Sequence, residues 1–470
     1  MQEYLRIAKH VLDHGVLRGN RTDQRAISCF GNSMDLDISD NLAIVTTKKL
    51  PLSYIVGELL WMIAGSSDVK LLNEISGVPA DRSGIWDEWS LQKDYFQEVP
   101  RNVTDMISEI AMREHRRETV INQELVVYQE KYGLDGITKY MTEHGVNVRQ
   151  KIQVGHRGYI GPLYGHQWRR KHTEAYIDQF ENLLHKLETD PLDRRHLLIA
   201  WDPDVLPRPD ITMAENLLIG KQPIAPCHWA SQYYVEPVLT NPDTPLLKLT
   251  TDESGNAVAK VNPKYLGKSF RIINTEIDEC IGDFDTAEYT IVEKPATNPQ
   301  QEVELEESES SKKYGISILR DLFILKNLSR NTEYHVFVGE GVPVTLEGGS
   351  VSAMLHMRSS DVFLGLPFNI TFYSLMVHLI SREFKAKPKR LFVTLGDYHV
   401  YENHVEQLNI QLKREPFEQA KIEWDSEVPS LREIMDMGNS PIRLKAAVNA
   451  IVKSIQGYQS HASLKGEVAV

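Results

Sequence analysis

A chain of 470 residues with a formal charge of −13, 41% hydrophobic and 25% charged, has the makeup of a soluble globular protein with room for one large domain or two to three smaller ones. The acidity excludes a general nucleic-acid-coating role, because phosphate backbones demand clustered Lys and Arg; any anionic ligand must meet a local basic pocket. Three cysteines, Cys29, Cys227 and Cys280, form a sparse, odd set without CxxC spacing, which implies neither a disulfide framework nor a cysteine metal site and points to a cytoplasmic protein.

Residues 1–90 mix helix and strand signals. Leu5, Ile7, Ala8, Val11 and Leu12 give an amphipathic first helix rather than a signal peptide, and no run of about 18 apolar residues exists to span a membrane. A polar loop GNRTDQR follows, then an alternating stretch SCFGNSMDLDI, a short strand predicted at LAIVTT and an apolar helix YIVGELLWMIAG. Glu58 lies inside that helix among Val56, Leu59, Leu60 and Trp61, where a carboxylate must find partners or shift its pKa upward; a solvent-facing helix end is the plainer alternative.

Residues 91–158 read as an inserted helical subdomain, periodic at Met106, Ile107 and Ile110 and again at Ile121, Leu125, Tyr128 and Tyr132, with Gly133 as C-cap. Residues 159–237 return to compact signals: GPLYGHQWRR, a helix YIDQFENLLHKLE, the turn DPLDRR, the strand HLLIAW and the core strand IAPCHWASQYYVEP. Residues 238–345 read as a second insertion, mixed or β-rich, with a hairpin in LLKLTTDESGNAVAKV, a solvated acidic run QEVELEESESS and one amphipathic helix at ISILRDLFILKNL. Residues 346–470 begin with a hairpin turn at LEGGS and continue through a strand into MLHMRSSDVFLG, the helix FNITFYSLMVHLISREF, the strand LFVTLG and a polar turn DYHVYENH.

A cysteine on an apolar strand is usually inert core. Cys227 differs in its neighbours Pro226 and His228, and a thiolate beside cationic groups is a usable nucleophile. Arginines in NRT, DRR and MRSSD have the chemistry to grip a phosphate bidentately, though each alone could lie on the surface.

Taken in order, NRT at 20–22, VTTK at 45–48, ELLW at 58–61, IWDEW at 85–89, GPLYGHQWR at 161–169, DPLDRR at 190–195, APCH at 225–228, RSSDVFLGLPFNI at 358–370, GDYHVYENH at 396–404 and the terminal VAV resemble the thymidylate synthase family. The resemblance implies an α+β fold, a mixed β-sheet packed against helices and interrupted by the two insertions. It implies reductive methylation of deoxyuridylate (dUMP) to thymidylate, with 5,10-methylenetetrahydrofolate as one-carbon and hydride donor and no metal. Cys227 then attacks carbon 6 of uracil. Arg21, Arg358 and Ser359 hold the phosphate together with Arg194 and Arg195 of a second subunit, so a homodimer is expected, with no membrane and no nucleic-acid partner. Asn369 reads the base, offering donor and acceptor to O4 and N3 where cytosine-specific relatives carry Asp. His399 and Tyr401 meet the ribose. Glu58 is the acid/base relay, Tyr164 helps remove the carbon 5 proton and His228 steadies water near O4. Asp361 bonds the pterin, Trp86 and Trp89 wall the folate, Lys48 meets its glutamyl tail and Val470 belongs to a closing lid. For Arg194 and Arg195 a turn paired with Asp190 and Asp193 is the plainer reading, for Trp89 core packing, for His399 and Tyr401 a surface turn, and for Lys48 a solvated side chain.

The sequence departs from the family pattern in three places. The phosphate loop reads RTDQRA where the family alternates Thr and Gly, which stiffens it, and Arg25 either joins the phosphate site or balances Asp23. Extra residues lie around SGVPADRSG before IWDEW and in LPRPDITMAENLLIGK before the Cys227 loop. These leave two other readings: a dUMP hydroxymethyltransferase of the bacteriophage kind, in which water replaces hydride, and a binding or assembly protein acting through its insertions.

Overall fold

The computed structural model describes residues 1–19, 24–79, 81–169, 177–189, 191–239, 247–251, 257–261, 288–292, 321–327, 332–338 and 344–467. The first helix, α1 (Gln2–His14), buries Tyr4, Ile7, Ala8 and Val11, the one-sided stripe its spacing predicts. Two strands follow, β1 (Val16–Arg18) and β2 (Ala26–Asp37), the second coinciding with the alternating stretch. Helix α2 (Leu52–Ile63) is buried on most faces, and α3 (Val69–Ser76) ends at Gly77, whose φ of 72° is the left-handed conformation that a C-terminal glycine supplies without strain.

Next come β3 (Tyr95–Pro100), α4 (Val103–Glu114), α5 (Glu118–Tyr132), α6 (Gly136–Glu143) and β4 (Arg149–Gly155). Strands β3 and β4 pair antiparallel at the root of this segment. Its helices close on a small core of their own that includes Met106, Ile110, Ile121, Leu125 and Tyr140.

The chain continues through α7 (Gly165–Arg169), α8 (Gln179–Thr189), β5 (Leu197–Ile199), α9 (Met213–Leu218) and β6 (His228–Leu239). Five strands then form an antiparallel meander: β7 (Leu247–Thr251), β8 (Ala257–Val261), β9 (Glu288–Val292), β10 (Asp321–Asn327) and β11 (Thr332–Val338). The expected hairpin is there, Thr251 opposite Ala257. After it run β12 (Val344–Asp361), α10 (Gly365–Glu383), β13 (Lys387–Tyr401), α11 (Val405–Leu412), α12 (Leu431–Met435) and α13 (Pro441–Ser454).

The main sheet has six strands in the order β1-β2-β13-β12-β6-β5; β12 and β13 run parallel and the other neighbours antiparallel. It is therefore the mixed sheet of an α+β fold. Helices α10 and α1 pack against it, and α2 joins α10 to α3 and α13 in a second helical layer. The opposite face leaves Trp229, Tyr234 and Phe30 at 37%, 64% and 83% exposure.

Four expected elements differ. LAIVTT is a buried loop: Ala43 N–H donates to Ser374 Oγ and Ile44 N–H to Gln419 Oε1, so side chains take the place of a ladder. LEGGS is no hairpin but an irregularity within β12, where the register with β6 shifts between Thr345 and Ser350. Within ISILRDLFILKNL, residues 321–327 are strand β10, where ladder pairing with β9 and β11 wins over the helical reading, and the rest lies outside the described residues. Asp397–Tyr401 extend β13 instead of turning.

Candidate active site

Cys227 stands one residue before β6, at the mouth between that strand and β12. Arg358 on β12 shapes its loop. The Arg358 N–H donates to Cys227 O at 3.0 Å, Nε donates to Pro226 O at 2.9 Å, and Nη2 donates to Ala225 O. Nη2 also lies 3.9 Å from Cys227 Sγ, which puts positive charge on the side where a thiolate needs it.

Tyr164 closes the other side. Its hydroxyl accepts the Cys227 N–H at 2.9 Å, and its ring stacks on His228 at 3.9 Å between centroids. Tyr164 has φ of +39°, uncommon for a bulky residue and the kind of backbone strain that collects at functional sites. Burial pushes its phenol well above the ordinary range, so it stays protonated at neutral pH and acts as a hydrogen-bonding group rather than a phenolate.

His228 is buried, with Nδ1 hydrogen-bonded to the Tyr373 hydroxyl at 2.9 Å. Burial lowers its pKa to about 3, so it is a neutral imidazole throughout the working range. Glu58, on α2, keeps a small opening but is otherwise enclosed, and desolvation pushes its carboxyl up to about 7, a hydrogen bond from Trp86 opposing the rise. That bond, Trp86 Nε1 to Glu58 Oε1, measures 2.8 Å, and the Trp86 ring stands edge-on to Tyr164 at 5.8 Å. A carboxyl with a pKa near neutrality is poised to take up and give back protons.

The base- and sugar-reading candidates come from two neighbouring elements. Asn369 lies on α10, its Nδ2 3.9 Å from Met357 Sδ, beside Arg358. Tyr373, one helical turn beyond Asn369 on the same helix, was not picked out from sequence, although the spacing of four was the available signal. His399 and Tyr401 lie near the end of β13, their rings 5.2 Å apart, and His399 Nδ1 meets Asp397 Oδ1 at 2.7 Å. Ser359 is half-buried on β12, opposite Asp397 of β13.

Asp361 ends β12 and fixes the turn that leads into α10: its Oδ1 accepts the N–H groups of Phe363 and Leu364 at 2.9 and 3.0 Å. Lys48 is buried, its Nζ donating to Phe363 O and resting 3.9 Å over the Phe363 ring. Desolvation lowers its pKa to about 8, with Asp361 opposing the drop, so the solvated side chain considered above is ruled out. A cavity of about 580 Å³ opens beside it, walled by Leu50, Pro51, Leu364, Phe368 and Leu464, with Lys49 on its rim. Trp86 and Trp89 do not line that cavity and pack against the main core instead. The tail of the chain reaches it: a Cβ on Gly466 would come within 2.8 Å of His404 Nε2 and 2.9 Å of Phe363 Cε1.

The remaining arginines are placed differently. Arg194 and Arg195 are both exposed just before β5, and Arg195 Nε pairs with Asp193 at 2.9 Å while its side chain stays 76% exposed. Arg25 pairs with Glu402, Nε to Oε2 at 2.7 Å. Arg21, Asp23, Asp190, Cys280 and Val470 lie outside the described residues. Among the described residues no helix is long and apolar enough to cross a membrane, and no group of three or more His, Cys, Asp or Glu is arranged to hold a metal ion.

A family model described as thymidylate synthase matches residues 2–251 and 331–470, breaking within the segment 238–345. A thymidylate synthase of Mycoplasma pneumoniae is 24% identical over 471 residues, covering 100% of both chains. A thymidylate synthase of Francisella philomiragia subsp. philomiragia is 24% identical over 418 residues, covering 89% of this chain and 86% of that one.

Proposed function

Because the chain belongs to the thymidylate synthase family, a family of methyltransferases, we propose that it converts dUMP to thymidylate through a covalent adduct of Cys227 at carbon 6 of uracil. The observation that carries this reading is the arrangement around the sulfur: Arg358 Nη2 at 3.9 Å and a Tyr164 hydroxyl fixed to the Cys227 N–H at 2.9 Å. Attack by the thiolate on carbon 6 moves the ring π electrons toward O4 and makes carbon 5 nucleophilic. Asn369 supplies the amide that donates to O4 and accepts from N3–H. Glu58, titrating near neutrality, moves protons to and from O4 through water, with Trp86 holding one oxygen in place. The protonated Tyr164 and neutral His228 order the water that removes the carbon 5 proton.

Methylenetetrahydrofolate supplies the one-carbon unit and the hydride. The 580 Å³ cavity fits such a molecule, with Leu364, Phe368 and Leu464 for the flat apolar portion, and exposed Lys49 is better placed than buried Lys48 for a glutamyl carboxylate. Asp361, fixed at the head of α10, orients the pterin, and Val470 completes the lid that begins with residues 464–467. Trp86 acts on the one-carbon step through Glu58 and Tyr164, with Trp89 packed behind. The phosphate is held by Arg21, Arg358 and Ser359 and the ribose by His399 and Tyr401. The apolar side chains Trp229, Tyr234 and Phe30 on the open sheet face support a homodimer through that face, with Arg194 and Arg195 serving the second subunit. Residues 91–158 and 238–345 are insertions outside this chemistry.

Release of tritium from carbon 5 of labelled dUMP tests the nucleophile. The wild type releases it with folate present and Cys227→Ser does not, although Cys227→Ser still binds dUMP; turnover by Cys227→Ser would refute the assignment.

A further inference from the structure

Tyr373 is buried beside the site, yet none of the steps above uses it. It lies on α10, one turn beyond Asn369, and its hydroxyl stands 2.9 Å from His228 Nδ1, the two rings meeting edge-on at 79°. The His228 ring also stacks on Tyr164 within 7° of parallel. One tyrosine therefore sets the plane of the imidazole, and the other meets its edge at a single nitrogen. That nitrogen decides where the ring carries its hydrogen, because in a neutral imidazole one nitrogen donates and the other accepts.

We propose that Tyr373 is a positioning residue that donates a hydrogen bond to His228 Nδ1 and so holds the imidazole in the tautomer with its hydrogen on Nε2. Burial keeps the Tyr373 phenol protonated and His228 neutral, so the pair joins a donor hydroxyl to a ring with one free lone pair. Ser231 also interacts with the hydroxyl, but an imine nitrogen is a stronger acceptor than a serine oxygen, and a phenol is a stronger donor than an imidazole N–H. Both comparisons direct the phenol hydrogen to Nδ1. The consequence rests on the water-ordering part given to His228 under the proposed function. A water at Nε2 accepts from the imidazole and keeps both hydrogens to donate, one of them toward O4, where charge gathers when Cys227 attacks carbon 6. The other tautomer would offer that water a lone pair and occupy one of its hydrogens.

The test is ¹⁵N NMR of the protein labelled at histidine, with His228→Gln identifying the His228 signals, alongside carbon 5 tritium release by Tyr373→Phe. In the wild type Nε2 should carry the hydrogen and Nδ1 should show the shift of a hydrogen-bonded acceptor, which Tyr373→Phe removes. The kcat of Tyr373→Phe should fall about tenfold with dUMP affinity changed less than about twofold, and the same substitution made in His228→Gln should cost nothing further. A hydrogen on Nδ1 in the wild type overturns the proposal, and that spectrum decides the matter even where Tyr373→Phe does not fold. An Nδ1 signal or a kcat that Tyr373→Phe leaves in place also overturns it, as does equal slowing in both backgrounds, which would make Tyr373 a packing residue. If His228→Gln releases tritium at the wild-type rate, the part given to His228 fails and Tyr373 has nothing to position. If His228→Gln is slow and the hydrogen sits on Nδ1, the assignment of Tyr373 alone fails.

Discussion

The Arg358 guanidinium lies 3.9 Å from the Cys227 sulfur while donating to the carbonyls of Ala225 and Pro226. One side chain thereby shapes the nucleophile's loop and sets the charge beside it. Arg358→Lys keeps a positive charge but loses the fork that bonds two carbonyls at once. Alkylation of Cys227 by iodoacetamide, followed on its own peptide by mass spectrometry, is expected to slow by about tenfold at neutral pH. A wild-type rate would show that Arg358 does not activate the thiol.

Glu58 gives the site a pH dependence with a defined sign. Its carboxyl titrates at about 7 rather than the usual 4.5 because burial penalises the charged form. The corresponding stability is fully present below about 4.5 and is lost as pH rises through about 7. In urea denaturation between pH 5 and 8, the wild type should lose up to about 3 kcal/mol more than Glu58→Gln. Trp86→Phe removes the hydrogen bond that opposes the rise, so the break assigned to Glu58 in the pH profile of carbon 5 tritium release should move upward. A downward move would contradict the Trp86–Glu58 coupling.

Tyr164→Phe deletes the oxygen that accepts the Cys227 N–H. Leaving a buried donor without a partner costs about 1–3 kcal/mol. The variant should melt lower and release tritium more slowly, with dUMP affinity less affected than kcat. Unchanged kcat would confine Tyr164 to a structural part.

Asn369→Asp replaces an amide that can donate to O4 by a carboxylate that can only accept. Competition between dUMP and deoxycytidylate should shift toward deoxycytidylate by on the order of tenfold or more, the loss of one specific buried hydrogen bond. An unchanged ratio would sink the assignment of base reading to Asn369.

Much of this arrangement was legible in the residues. The apolar stretch around Glu58 announced both helix α2 and a carboxyl that must shift upward, because burial of a charge has few physical outcomes. The motif GPLYGHQWR marked Tyr164, but its positive φ was invisible, since a tyrosine gives no local sign of left-handed backbone. LAIVTT has the composition of a strand, yet Ser374 and Gln419, far along the chain, supply its hydrogen-bond partners. Lys48 read as a solvated or tail-binding lysine because nothing nearby in sequence predicts the carbonyl and ring of Phe363. Arg25 had a nearby acid in Asp23, and local spacing could not show that the fold also brings Glu402 to it. In each case local pattern set the element or residue type, and a partner distant in sequence decided its use.

The most direct measurement is the mass of the nucleotide formed from dUMP and methylenetetrahydrofolate, read together with the mass of the Cys227 peptide from a reaction quenched during turnover. A product heavier than dUMP by one CH₂ group, with dUMP-derived mass on Cys227, is the predicted result. A product carrying an additional oxygen, hydroxymethyl-deoxyuridylate, would contradict the hydride step, and product formed with no adduct on Cys227 would contradict the account as a whole.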